Sequence, residues 1–469
     1  MKKMLSIAAV AALATSSFAA SDLAGAFKEG KTSGQVRAMY LKQDFSSDMN
    51  DATKGNTPDT SGFALGGKLS YETAPLYGIS AGVAFYTTQD MGTKSDTAAK
   101  VDGSLYDENS KSYSLLGQAY LVGSFGKTTV KVGRQQLDTP LAGSDDIRMV
   151  PNLFEAALVI NTDLPDTTLI GGYVARMAGW DSAAFNNDFT SLGLGTQGQT
   201  KPSRTAFQSM SRSALGGLVD VDLGHGQVGE KGVYAAAAIN SSIKDLTLQV
   251  WEYYAADVVN AVYLQADYKL GLGAGTTVNL AAQYYNMQGI GKTKDLLKDA
   301  ALGKVDYNVY GVKASVETPV GLTPYVAYNK VSEQKDGTNG GTFVFGAWGG
   351  YPEFAVADEF WFNSFGATSK GLNNAMNGAQ TYKIGADYSL EKLGLGARTL
   401  GLAYTKFDVK SKYNIDNNGN DVDADTAVWD LSYTCTGALV KNLDAKIVLE
   451  SVDSKYNPLD RKTAKVTFN

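Results

Sequence analysis

The sequence predicts an all-β transmembrane protein: an antiparallel up-and-down β-barrel of about 18 strands, with long extracellular loops, short periplasmic turns and one loop folded into the pore. Three observations predict it. The chain opens on an export signal. Segment after segment then alternates apolar and polar residues with period two, and the connections between these segments alternate between short and long.

Met1-Lys2-Lys3 gives the chain a charged start, Met4 to Ala14 is an apolar run, and Ser17 and Ala19 place small residues before a cleavage point. This is the pattern of a Sec signal peptide over residues 1–19, whose apolar run falls short of the about 20 residues a spanning helix needs. Residues 20–469 are then the barrel. They contain no apolar run of spanning length, and Ala235 to Ile239 is about the longest.

The first clear strand runs from Gly62 to Glu72, with Phe63, Leu65, Leu69 and Tyr71 on one face and Lys68, Ser70 and Glu72 on the other. Ser112 to Phe125 sets Tyr113, Leu115, Ala119 and Leu121 against Ser114, Gln118 and Ser124. Later segments repeat the pattern: Leu264, Tyr268 and Leu270 against Gln265, Asp267 and Lys269; Tyr382, Ile384 and Tyr388 against Lys383 and Asp387; Trp429 and Leu431 against Asp430 and Ser432. Period two marks a strand with one apolar and one polar face. Such segments start near residues 33, 61, 78, 111, 127, 153, 167, 231, 245, 260, 275, 306, 321, 380, 398, 425, 442 and 460. Each is about 10 to 14 residues long, against about 5–6 for a soluble sheet and about 9–11 for a tilted strand crossing a bilayer.

Short connections such as Ala74 to Tyr77, Phe125-Gly126, Ser241-Ser242 and Thr318 to Val320 alternate with long ones at 45–60, 90–110, 138–152, 178–230, 289–305, 335–379 and 411–424. Short turns on one side and long loops on the other is the layout of an outer-membrane barrel. The connection at Ala256-Asp257 breaks the rule, being short where a long one is due. With an even strand count both termini share the periplasmic side, the apolar parity faces lipid, and the polar parity faces an aqueous lumen.

On lumen parity lie Arg37, Lys68, Lys131, Arg176, Lys269, Lys313, Lys383, Lys446 and Lys465, with the acids Asp267, Asp387 and Asp430 and also Glu72, Glu155, Glu317, Asp444 and Glu450. Rings of charge in a pore select ions and orient zwitterions, although any one of these residues serves equally as a solvated wall charge paired across the lumen. The loop 138–152 combines Asp145, Asp146 and Arg148 with two prolines and an apolar patch. Apolar residues beside fixed charges point to a loop tucked into the pore, with those three residues at its constriction, where an external loop is ordinarily more polar. Phe468 shares lipid parity with Ala464 and Val466 and closes the barrel at the periplasmic aromatic girdle.

Composition excludes several function classes. One His and one Cys, His225 and Cys435, cannot build a Cys/His zinc site, a disulfide framework or a redox pair. His225, in Gly224-His225-Gly226, has no identifiable nucleophile to serve. With 42 Lys and Arg against 48 Asp and Glu, nucleic acid is disfavoured. The 26 Tyr outnumber the 18 Phe, which suits a membrane interface, where one end of the ring is wet. The stretch Asp416 to Asp425 is rich in oxygen ligands but lacks the spacing of a calcium loop and reads as a solvated turn. No cofactor is expected.

From Gly133-Arg134-Gln135-Gln136 through Asp146-Ile147-Arg148-Met149-Val150-Pro151 the sequence resembles the OprD-type outer-membrane porins. Leu322 to Val331, Gly340-Gly341, Phe362-Asn363 and Tyr382 to Tyr388 extend the likeness over most of the chain. The resemblance implies an 18-stranded barrel, monomeric or homotrimeric. It implies a pore narrowed by the loop after the fifth strand, Arg148 as the constriction arginine, and a ladder of lumen bases. The solutes it implies are small amino acids, peptides or carboxylates. Two departures stand out. Thr342 follows Gly340-Gly341 where members preferring basic amino acids carry an acid, and the chain ends one residue past Phe468.

The expected function is therefore that of a porin of the Gram-negative outer membrane, passing small hydrophilic solutes down their gradients without bond chemistry. Its partners would be outer-membrane lipid and lipopolysaccharide, the solutes, and the periplasmic chaperones and barrel-assembly machinery. The alternatives are a barrel enzyme of protease or lipase type and a secreted β-rich surface adhesin. The single His, and a strand count above that of small barrels, weigh against the enzyme.

Overall fold

The computed structural model describes residues 20–46, 58–183, 203–299, 304–333, 346, 348–361, 364–365, 377–409, 422–437 and 442–469. The signal segment 1–19, the paired glycines with Thr342, Phe362-Asn363 and most of the oxygen-rich stretch lie outside the described residues. Among those described, the strands are β1 (Lys31–Phe45), β2 (Thr60–Glu72), β3 (Ile79–Gln89), β4 (Tyr113–Phe125), β5 (Thr128–Gln135), β6 (Leu153–Asn161), β7 (Thr167–Ala178), β8 (Gln208–Ser209), β9 (Val233–Asn240) and β10 (Leu246–Ala255). They continue as β11 (Val259–Gly273), β12 (Thr276–Gly289), β13 (Asp306–Glu317), β14 (Leu322–Val331), β15 (Gln380–Ser389), β16 (Arg398–Asp408), β17 (Thr426–Cys435), β18 (Ala445–Ser454) and β19 (Arg461–Phe468).

Every pairing is antiparallel between chain neighbours, and β7 pairs directly with β9. The two-residue β8 lies beside the end of β7 without interrupting the wall. The remaining eighteen strands close on themselves where β1 meets β19, from Ala38 opposite Phe468 to Phe45 opposite Arg461. Closure satisfies every strand edge, which hydrocarbon does not do. Each strand begins within three residues of the position that period two predicts. The lengths, 8 to 15 residues, spread more widely than expected; of the three eight-residue strands, β5 and β9 flank the inward-folded segments.

The outer face is a band of large apolar residues open to the surroundings, among them Leu69 at 61% exposure and Ile384 at 59%. Toward the loop end it carries direct cross-strand aromatic pairs: Tyr173–Tyr234, Tyr284–Tyr310, Tyr328–Tyr382 and Tyr404–Trp429, with ring centroids 4.7, 5.3, 5.1 and 4.9 Å apart. Such pairs place amphipathic rings at one level around the barrel, as an interfacial girdle requires.

Two features depart from simple alternation. First, the lumen face is not uniformly polar. Near the loop end, Trp251, Tyr253, Tyr263, Tyr285, Tyr307 and Phe407 point inward and are buried against segments that fold into the barrel, including the helix Met210–Leu215 and Phe360. Inward loops need apolar partners, so the wall supplies them. Second, bulges shift parity by one residue. The register of β4 slips at Gly117, so Leu115 packs inside with Tyr86 and Leu153, whereas Leu121 points outward at 57% exposure; alternation had placed both leucines on one face. The short connection at Asp257 also has a cause. The helix Gly291–Asp299 of the neighbouring loop lies over it, with Thr293 N–H donating to the Asp257 carbonyl at 3.0 Å and Ile290 N–H to that of Val258 at 3.2 Å. Gly291, at φ +53°, lies so close that a Cβ there would stand 2.3 Å from the Asp257 carboxylate.

Candidate pore constriction

The loop between β5 and β6 turns tightly at its start. Thr139 N–H donates to the Ala142 carbonyl at 2.8 Å, and the Asp138 carboxylate accepts from the Ser144 amide at 3.1 Å and from its hydroxyl. It then meets the segment 348–361. Gly143 N–H donates to the Trp348 carbonyl at 3.0 Å, and a Cβ on Gly143 would come within 2.8 Å of the Gly349 carbonyl. The Tyr253 hydroxyl on β10 lies 3.4 Å from the Leu141 amide. The return is held by Asn152, which donates from its side chain to the Gly143 carbonyl at 3.1 Å and to Asp181 at 2.8 Å.

The far end of this loop reaches the opposite side of the sheet's closure. Arg37 on β1 grips Asp146 with both terminal nitrogens, at 2.6 and 3.2 Å, and donates to the Arg148 carbonyl and, at 2.6 Å, to the Asn469 side chain. Arg148 is buried. Its guanidinium donates to Glu359 at 2.8 Å and Ser104 Oγ at 2.9 Å, and stands 4.9 Å from the Trp180 ring centroid. Glu359 also accepts from Lys465 on β19, its carbonyl accepts from Arg461 at 2.8 Å, and its amide donates to Glu450 at 2.8 Å. Burial works against the ionised form of Glu359, but the charges of Arg148 and Lys465 outweigh it and hold the carboxyl at about 2. Asp145 is also buried, its carbonyl accepting from the Trp180 ring at 2.9 Å. Nearby Asp181 is pushed well above the usual carboxylate range, first by burial and then by the charge of Asp145. Of the three loop charges named from sequence, only Asp146 is open to the lumen.

The wall bases fall into two groups. On β2 to β5, Lys68 stands 5.8 Å from the Tyr86 ring, Lys131 stands 3.8 Å from the Tyr120 ring, and Tyr120 donates to Glu72 at 2.6 Å. On β13 to β15, Lys313 and Lys383 flank the Tyr325 ring at 5.7 and 6.0 Å, with Asp387 and, on β11, Asp267 near them. Lys383 donates to the Val356 carbonyl at 2.7 Å, and Lys446 pairs with Asp358 at 3.2 Å, so both pin the second inward segment. Asp430 is buried beneath that segment, and Lys269 is exposed near the turn end. Arg176 departs from the lumen row. The register slips between Val174 and Arg176, Met177 packs inside, and Arg176 lies on the outward row with Glu155 at 3.7 Å, itself 3.0 Å from Arg134. Glu359, Asp358 and Arg461 were not singled out in the sequence. The signal was present, since Trp348, Tyr351, Phe354, Phe360 and Trp361 surround Glu353 and Glu359 in the same mixture of apolar groups and fixed charge that marks 138–152.

Eighteen crossing strands with an apolar outer band, around a lumen lined by charge, define a transmembrane porin. The chain belongs to the OprD family of outer membrane porins, whose family model matches residues 24–443. Its fold resembles that of OccK8 (OprE) of Pseudomonas aeruginosa, with a TM-score of 0.67 at 16% identity over 94% of this chain and 98% of that one. A BenF-like porin from Pseudomonas fluorescens Pf-5 gives 0.68 at 14% identity over 94% and 98%, and OccAB1 of Acinetobacter baumannii 0.66 at 14% over 94% and 96%. No curated protein matches by sequence comparison. The long connections are therefore extracellular, the short turns periplasmic, and the protein resides in the Gram-negative outer membrane.

Proposed function

We propose that the loop 138–152 is the constriction of this porin and that small zwitterionic solutes, amino acids and short peptides, pass it by passive diffusion without bond chemistry. One observation carries the reading: the loop leaves β5, touches β10 through Tyr253 and is clamped to β1 through Arg37 and Asp146, so it lies across the lumen. Both walls carry charges of both signs: Lys68 and Glu72 on one side, with Lys131 buried behind the Tyr120 ring, and Lys313 and Lys383 with Asp387 and Asp267 on the other. Paired signs attract both ends of a zwitterion while giving a simple ion no net preference. Export behind the signal segment 1–19, periplasmic chaperones, the barrel-assembly machinery and a monomeric or homotrimeric state belong to the same reading. The test is swelling of proteoliposomes in isosmotic glycine, a small carboxylate or a small amine, for the wild type and for Lys68→Glu/Lys131→Glu. The wild type should admit glycine fastest and the variant should turn toward the amine. Equal rates for all three solutes in both proteins would remove the zwitterion reading.

A further inference from the structure

The inward rows of β6, β7, β9 and β10 carry no charged residue, unlike the lumen walls on either side of them. Leu158, Ile160, Ile170, Val174, Ala235 and Ile239 stand on these rows, while the alternate residues Val159, Leu169, Tyr234 and Val250 are exposed on the outer face. Leu158, Ala235 and Ile239 stay partly open. The apolar run Ala235 to Ile239 thus supplies part of a lumen wall, where a water-filled pore ordinarily carries polar groups.

Where this wall meets the start of the loop 138–152 lies a cleft of about 60 Å³. Ile170, Val174 and Ala235 line it from the wall, Trp251 from β10, and Leu137 and Ala142 from the loop. It has room for about four waters, the size of a branched aliphatic side chain and short of an aromatic ring. Its apolar lining gives water few hydrogen bonds, so an apolar group displaces that water readily.

One acid stands at the cleft. The Asp138 carboxylate lines it and accepts from the Ser144 amide and hydroxyl through Oδ1 alone, which leaves Oδ2 without a partner among the described residues. No Lys or Arg among the described residues lines it. An ammonium next to an aliphatic group matches this pattern, because the cation meets Asp138 in a charge-assisted hydrogen bond. An anion carrying the same aliphatic group meets a like charge with no cation to answer it.

We propose that this cleft is a side-chain subsite for zwitterionic amino acids with branched aliphatic side chains. The α-ammonium meets Asp138 Oδ2, the side chain enters the cleft, and the carboxylate stays toward the open lumen. The inference rests on the passage of zwitterions proposed above and names the class the pore holds most strongly. Removing an isobutyl group from water should favour leucine over asparagine, its near-isostere, by about 10-fold.

Single-channel recording with one solute added to the bath tests this, read as the concentration at which solute halves the open-channel current. In the wild type, leucine should act at a concentration about 10-fold lower than asparagine. Phenylalanine, too wide for the cleft, and isocaproate, which is leucine without its ammonium, should act no more strongly than asparagine. Ala235→Leu fills the cleft and should bring leucine to the level of asparagine. Asp138→Asn should weaken leucine about 10-fold. Heat-modifiable migration on a gel shows that each variant barrel is folded. Equal action of leucine and asparagine on the wild type, isocaproate matching leucine, or a leucine preference that survives Ala235→Leu would overturn the subsite. Each of these leaves the passage of glycine, and with it the zwitterion reading, in place. A wild type that excludes glycine would remove both.

Discussion

Glu359→Gln is the most informative single change, because one carboxylate holds the two inward segments to each other and to the wall. Glu359 accepts from Arg148 on the loop 138–152 at 2.8 Å and from Lys465 on β19, and all three side chains are at most 5% exposed. The amide keeps the shape and one acceptor but removes the charge, leaving two buried cations facing each other. The distance of its carboxyl, at about 2, from the ordinary 4.5 corresponds to about 3 kcal/mol of interaction. The cost of breaking a buried pair, about 3–5 kcal/mol, agrees with this. The barrel's own ladder is untouched, so the loss should appear as local opening of residues 138–152. Hydrogen exchange of peptides covering the Gly143 and Asn152 amides should accelerate about 100-fold, with the strands unchanged. Combining Arg148→Gln with Glu359→Gln should recover part of that protection, since it removes one of the stranded cations. The carboxyl is held low, so its contribution is complete above pH 4.5 and is lost as pH falls through about 2. Exchange in the wild-type loop should then show no step from this group between pH 5 and 8. Unchanged exchange in Glu359→Gln would refute the clamp.

Asp181→Asn should stabilise the protein by about 1 kcal/mol at pH 7 and by nothing below pH 3.8. Burial and Asp145 keep the folded carboxyl protonated where the unfolded one ionises, so wild-type stability falls as pH rises past 3.8; urea midpoints at pH 3.5 and 7 check the sign. Phe468 pairs with Ala38 and Ala445 across the closure, so deleting Phe468-Asn469 should lower outer-membrane yield far more than deleting Asn469 alone. The shorter deletion should still free Arg37 from its 2.6 Å bond and raise exchange near Asp146, which the same peptide measurement reads.

The barrel was legible because each strand states its own two-faced pattern and each turn its own length, so local information sufficed. Parity failed where the backbone spends an extra residue. Gly117 carried only the weak bulge signal of a strand glycine, one among many in this chain, and Ala175 carried none; Leu115 and Arg176 changed faces with them. The inward fold of the loop 138–152 was legible from Leu141, Met149 and Val150 standing beside Asp146 and Arg148, a mixture that an exposed loop does not favour. What each charge would meet was not legible, because Arg148, Glu359 and Lys465 are brought together by loop closure over more than three hundred residues of chain. The same holds for the lumen wall. Trp251, Tyr285 and Phe407 face inward because segments far away in sequence cover them, a fact that no local period records.

The most direct test is single-channel recording in planar bilayers, comparing the wild type with a protein in which residues 139–150 are replaced by a short Gly-Ser link. The wild type should show stable ohmic openings of small conductance and the replacement a several-fold larger conductance, with the barrel intact by circular dichroism. A folded wild type that never conducts, or a replacement whose conductance equals that of the wild type, would contradict it.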